Sequence, residues 1–348
     1  MAPLVLMIAS LIVLARLLGT TVQLLLLTSA SVLMALLVTR LADKLEGVTG
    51  LPRKVGTVLV LLSGTALLVA VLVLTGSQIF QQFGELASDL PQTVSQWQKQ
   101  AEKYELTRPL VEMAGDKLST FDPTLLFGNV SGLFSSVAGF FTAAAFLLAV
   151  ALYLSLDPST YKRGVLRLVK AVERRKRAEE VLDRLSDQLW HFLLGQMTTM
   201  SILAVFTTLG LWLLDIPSYL ALGLVAGTLA FIPVVGPALS FVPAFLVAST
   251  QGSQAMVSVA CLYAGIQFLE GNFLTPIVQK EMSSIPPVLL MITQAGMGML
   301  FGLFGVALAA PATVVGMVLV EELYLKDVDP PLADRVVGEL ETPAEGFV

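Results

Sequence analysis

The sequence predicts an all-α, polytopic integral membrane protein of about eight transmembrane helices, with broken or re-entrant helices in its C-terminal half. Three observations predict it. Hydrophobic residues fill 55% of the 348 positions, charged residues only 14%, and the mean hydropathy is +0.81, whereas soluble domains carry about 25% charge. Apolar runs long enough to cross the ~30 Å hydrocarbon layer recur along the chain. One of them, Tyr219 to Ser249, holds no charge at all, yet Ile232-Pro233-Val234-Val235-Gly236-Pro237 interrupts it.

Composition also excludes classes of chemistry. The one cysteine, Cys261, lies in an apolar run, so neither an intramolecular disulfide nor a cysteine metal cage is available. With His191 the only histidine, a two-histidine metal site is excluded. The chain lacks a Walker A loop and an HExxH pair, and no cofactor or metal is expected. An enzyme is not expected either.

Taken in order, residues 1–75 predict three membrane helices. Ala2 to Leu18 and Thr20 to Val38 are joined by a tight turn near Gly19, and Val55 to Thr75 follows a loop with Arg40, Lys44, Arg53 and Lys54. The positive-inside rule places that basic loop in the cytoplasm. No basic region precedes Arg16, so the first span reads as uncleaved. Residues 76–131 predict an external amphipathic helical segment. Ile79, Phe83, Leu86, Leu90, Val94, Trp97, Ala101 and Tyr104 recur at steps of three and four, with Pro91 splitting the helix.

Residues 132–156 predict the fourth span and 157–190 a cytoplasmic amphipathic helix. The latter carries nine bases against six acids, which suits the cytoplasmic side. Its run Arg174 to Arg177 lacks interleaved aromatics and reads as a solvated face or a lipid-facing anchor, with no nucleic-acid partner expected. Residues 191–325 form a motif-rich half: a span to Leu214, the interrupted stretch, a span from Ala255 to Leu269, and a final pair, Val288 to Met299 and Phe301 to Val320. Residues 326–348 are a polar tail.

The interruption sets the chemistry. Proline removes a backbone donor, and in hydrocarbon the freed carbonyls survive only where protein or water answers them. Two short helices therefore meet at Pro233, Gly236 and Pro237, as a re-entrant hairpin or as one broken span, and such breaks mark solute sites in secondary transporters. From Phe192 to Val320 the only charged side chains are Asp215, Glu270, Lys280 and Glu281. Glu270 is the strongest candidate, because Gln267, Asn272, Thr275 and Pro276 surround it and Gln267 shares its helix face. That group is read as coordinating a monovalent cation, relaying a proton or binding a small polar solute. Gly302, Gly305, Pro311 and Gly316 interrupt the last pair in the same way.

At these residues the chain resembles the autoinducer-2 exporter family of membrane transporters, the PerM-like proteins. The resemblance is carried by Gly223-Leu224-Val225-Ala226-Gly227, Phe231 to Pro237, Glu270-Gly271-Asn272 with Pro276, and Gly302-Leu303-Phe304-Gly305 with Leu308-Ala309 and Pro311. Gln279-Lys280-Glu281-Met282 departs from the glycine and basic residues usual there. The resemblance implies a homo-oligomer in a bacterial inner membrane that moves small solutes or ions. Export of autoinducer-2 and sodium(lithium)/proton antiport are both assigned within the family. The functional expectations are thus a secondary exporter of a small polar solute, a cation/proton antiporter, or a non-transporting membrane scaffold.

Overall fold

The computed structural model describes residues 2–67, 69–70, 137–169, 171–274 and 285–326, and these are helices and their connections. The expected external segment 76–131, Thr275, Pro276 and the tail beyond residue 326 lie outside the described residues. The chain divides into two compact units, Met1–Leu68 with Phe146–Val348, and Val69–Ala145. The larger unit holds the elements described below, apart from the first turns of α3.

Helix α1, Ala2–Thr49, runs unbroken for 48 residues. The tight turn expected near Gly19 is absent. One glycine costs a helix only about 1 kcal/mol relative to alanine, and the leucine-rich flanks on both sides override it. A stripe of Ser31, Ala35, Val38 and Ala42 is buried, and these small side chains let neighbouring helices approach closely. On one side Ser155 donates its hydroxyl to the Ala35 carbonyl at 3.2 Å. The helix ends on Gly50, whose φ of 69° supplies the left-handed cap. Helix α2, residues 53–67, then packs back through Gly56 on Ala42, and Arg53 pairs with Asp43 at 3.0 Å.

Helix α3, Val137–Leu156, is an apolar span. Asp157 stops it and caps the next helix, accepting from the Thr160 amide at 3.2 Å and the Ser159 hydroxyl at 2.8 Å. That helix, α4 (Pro158–Leu168), turns 88° from α3. The amphipathic helix expected over 157–190 is in fact two pieces. Val169 is extended, and the chain restarts as α5, Val172–Leu213, which runs without a break from its basic end through the apolar stretch. No proline or glycine separates the polar and apolar parts of α5, so the helix has no reason to end at Trp190. Lys162 of α4 bridges Glu179 and Asp183 of α5 at 3.1 and 2.7 Å, and these carboxylates push its pKa upward. Arg40 and Lys44, expected in a loop, sit on the last turns of α1. There Arg40 pairs with Asp187, and Lys44 lies 5.3 Å over the Trp190 ring.

Helices α6 (Tyr219–Leu229) and α7 (Val235–Ser249) are the halves of the interrupted stretch. Their 11 and 15 residues reach only about 16 and 22 Å, short of the ~30 Å core. They form a hairpin, not a single broken span. Leu222 near the start of α6 shares a buried cluster with Ala244, Val247 and Ala248 near the end of α7, and the Gln251 amide closes the base on the Asp215 carbonyl at 3.0 Å. Helix α8, Ser253–Leu269, runs on into a π-helical turn, Glu270–Leu274.

Helix α9, Pro287–Val320, is a second hairpin. Gly302, at φ 64° and ψ −149°, reverses it. Leu290 packs in one cluster with Ala310 and Val314, residues that a straight helix would hold about 30 Å or more away. The expected final pair of helices is therefore present, hinged at Gly302. Glu321 and Glu322 beyond it pair with Arg184 of α5 at 2.9 and 3.3 Å. Arg184 and Leu213 stand about 44 Å apart along α5. The base of hairpin 1 lies at the Leu213 end and that of hairpin 2 at the Arg184 end, so the two point in opposite directions along α5.

Among the described residues Leu24–Thr49, Arg174–Leu213 and Ser253–Leu274 are by length and composition able to cross a bilayer. Pro287–Leu325 is long and apolar enough end to end but is folded into two arms at Gly302.

Candidate functional site

The tip of hairpin 1, Ala230 to Val234, holds one of the three non-glycine residues with positive φ among the described residues; the other two, Asp215 and Ser218, lie at the hairpin's base. Pro233 cannot continue a helix, and Val234 is forced to φ 69° and ψ −50°. There the Val235 amide donates to the Pro233 carbonyl at 2.8 Å, the i→i+2 bond of a γ-turn with positive φ. For a β-branched residue this conformation is strained. Gly236 is required by space and not by its dihedrals: a Cβ there would stand 2.0 Å from the Leu229 carbonyl oxygen. Pro237, by contrast, breaks nothing. It occupies the first turn of α7, where its missing N–H has no helical partner in any case.

Two carboxamides answer the carbonyls that the break releases. Gln196 of α5 donates to the Ala230 carbonyl, and Gln294 of α9 donates to the Pro233 carbonyl at 2.7 Å. Both side chains are buried, at 8% and 5% exposure, so each hydrogen bond is made in a low-dielectric setting where losing it is costly. Sequence reading missed both residues because it followed charge. The available signal was a lone glutamine within an apolar run.

The other expected residues fall in different places. Gln267 lies one turn before Glu270 on the same helix and hydrogen-bonds its carboxylate. Asn272 spends its amide on the Phe268 carbonyl of its own helix at 2.8 Å, and so caps that turn. The turn faces the middle of α5, and a cleft of about 240 Å³ lies between them. Ile202, Leu203 and Phe206 line one wall, with Ile266, Leu269, Phe273 and Leu274 on the other. Along α5 this lies about 9 Å above Gln196, so Glu270 belongs to a separate locus from the hairpin tip. Gly305 serves the second hairpin: its hydrogen side lies against the Met297 carbonyl, where a Cβ would be 2.1 Å away. Pro311 is buried within the second arm beside Ala310, and it does not end the helix.

The layout thus defines a class: a polytopic helical membrane protein with two oppositely directed helical hairpins and polar groups where they meet, a layout found in membrane transporters. Comparison with known proteins agrees. The model of the AI-2E family transporter matches residues 2–325, and the chain belongs to that family. Three curated proteins, each named Putative transport protein, are similar over part of their length. YrrI of Bacillus subtilis (strain 168) is 36% identical over 40% of this chain and 40% of its own. YueF of the same strain is 27% identical over 39% and 37%. sll0060 of Synechocystis sp. (strain ATCC 27184 / PCC 6803 / Kazusa) is 25% identical over 48% and 47%. The matches span less than half the length of each relative.

Proposed function

We propose that this family member is a secondary transporter that exports a small polar solute, with the seam between the two hairpins as its path. The observation that carries the reading is the meeting of a broken backbone with two buried carboxamides, Gln196 on the long helix α5 and Gln294 on the first arm of hairpin 2. Such groups offer donors and acceptors without a fixed charge, which suits an uncharged or zwitterionic solute. Pro233 and Gly236 shape the tip, Gly305 and Pro311 shape the facing hairpin, and autoinducer-2 is the first solute to try. The setting is a bacterial inner membrane, with copies of the chain assembled as a homo-oligomer.

Glu270 supports a second reading, sodium(lithium)/proton antiport. A carboxylate bonded to Gln267 on an apolar span is the type of group that exchanges a proton for a cation, with Asn272, Thr275 and Pro276 of the same stretch beside it in sequence.

Proteoliposomes with imposed solute, sodium and proton gradients separate the two. Exporter function predicts flux of autoinducer-2 that Gly236→Leu abolishes, while Glu270→Gln leaves uptake of sodium and lithium as low as in empty vesicles. Sodium or lithium flux that collapses when the pH gradient is clamped, and that Glu270→Gln removes, would establish antiport instead. Normal flux in both variants would refute both sites.

A further inference from the structure

We propose that Gln294 is the positioning residue of a gate: it holds the tip of hairpin 1 shut against hairpin 2, and the path opens at the seam between Pro233 and Gln294. The inference rests on the reading of these hairpins as the solute path.

The two carboxamides at the tip are not equivalent. Gln196 belongs to the body that carries hairpin 1. Arm α6 lies on α5 at backbone distance: a Cβ on Gly223 would meet the Thr208 amide nitrogen at 2.8 Å, and one on Gly227 the Met200 carbonyl oxygen at 2.7 Å. Arm α7 is tied to α8 by the Tyr263 hydroxyl, which donates to the Ser240 carbonyl at 3.1 Å, and by the Phe241 ring set edge-on to Tyr263 at 5.4 Å. The base of the hairpin is closed by Leu222, Ala248 and Val259 in one buried cluster. Close-packed surfaces of this kind do not slide by small steps, so the arms of hairpin 1 stay fixed on α5 and α8, Gln196 is a pin inside that body, and the movement is confined to the turn Phe231 to Val234.

Away from the tip, α5 is itself joined to α9 by the buried cluster of Leu189, Phe192 and Leu193 with Leu290, Ala310 and Val314, and by Arg184 on Glu321 and Glu322. At the tip the attachment is of another kind. Gln294 reaches the Pro233 carbonyl through one neutral hydrogen bond of 2.7 Å, and Phe231 rests half-buried against the cluster containing Leu290. A neutral hydrogen bond is readily exchanged for an equivalent one. A solute hydroxyl or amide supplies both replacements, donating to the Pro233 oxygen and accepting from the Gln294 amide. The tip is also held under tension. Val234 keeps φ 69°, which a β-branched residue adopts only when its surroundings impose it, and release from α9 removes one of those constraints.

The test reads opening of the seam and needs no solute. In a Cys261→Ser background, a cysteine replaces Ile232, a tip residue only 6% exposed. Its modification by a water-soluble methanethiosulfonate is timed in proteoliposomes. The expected result is slow modification in that parent and acceleration of about fivefold or more with Gln294→Leu. Gln294→Asn keeps the amide but shortens its reach. It serves as the second variant where the leucine protein does not fold, and it gives the same acceleration. Gln196→Leu accelerates modification less than either. A rate that neither Gln294 variant changes overturns the proposal, as does equal acceleration by Gln196→Leu, which would mark general loosening of the tip. A seam that opens in a protein that carries none of the tested solutes would sink the transport reading and leave this one intact.

Discussion

Gly236→Ala adds one methyl group at the point where the two arms of hairpin 1 part. Gly236 has helical dihedrals, so alanine meets no conformational objection, and in an open helix it would stabilise by about 1 kcal/mol. The obstacle is distance. The new Cβ would stand 2.0 Å from the Leu229 oxygen and 2.6 Å from the Leu229 carbonyl carbon. Ordinary contact begins near 3.4 Å, so the backbones must separate by about 1.4 Å. The opposing atoms are main chain and have no rotamer to change. Overpacking of this kind costs about 1–3 kcal/mol, and separation of the arms also pulls the Ala230 and Pro233 carbonyls off Gln196 and Gln294. The predicted net loss is therefore about 2–3 kcal/mol. Reversible unfolding in mixed micelles measures it, with Gly271→Ala as the control because nothing lies within 4 Å of that Cβ position. Equal stability of the two variants would refute the close approach of the arms, and with it the hairpin.

Further predictions concern the basic face. Glu321 and Glu322 are each 4% exposed and share Arg184. Arg184→Met leaves buried carboxylates with less compensation and lowers stability by about 3 kcal/mol. Adding Glu321→Gln to that variant recovers part of the loss in the same unfolding assay, and no recovery would argue against the ion pair. Asp157 has its pKa held below 3.8 by hydrogen bonds from Thr160 and Ser159. A depressed folded pKa means that the cap is fully present above that value and is lost as pH falls through the lower folded one. Hydrogen exchange at the Thr160 amide should rise in that acid range relative to its intrinsic rate, and Asp157→Asn should flatten the response. An unchanged profile in the variant would remove Asp157 as the titrating group.

Much of this architecture was legible in the residues. The charge-free run and its prolines announced the break at Pro233, because no helix can carry an unanswered carbonyl through hydrocarbon. The small-residue interruption at Gly302 announced the second hairpin. What the chain could not reveal is who answers the break. Gln196 and Gln294 lie 34 and 61 residues from their carbonyl partners, and only packing brings them there. Periodicity likewise exposes which face of a helix is apolar but not how deep it runs, so the continuity of α5 across Trp190 was invisible. Gly19 misled for a simpler reason: a glycine in a long apolar run is compatible with a turn and with a helix, and propensity alone favours neither strongly. Glu270 drew attention as a charge in an apolar span, yet the tip chemistry belongs to neutral amides one locus away.

The central claim is that two hairpins enter the membrane from opposite faces and meet at Pro233 and Gln294. Sided labelling in oriented vesicles tests it most directly, with single cysteines in a Cys261→Ser background and an impermeant thiol reagent. Pro217→Cys and Ser253→Cys flank hairpin 1, and Val288→Cys and Lys326→Cys flank hairpin 2. The account predicts that the first two label from one face and the last two from the other. Labelling of Pro217→Cys and Ser253→Cys from opposite faces would make the stretch a single broken span and contradict the account.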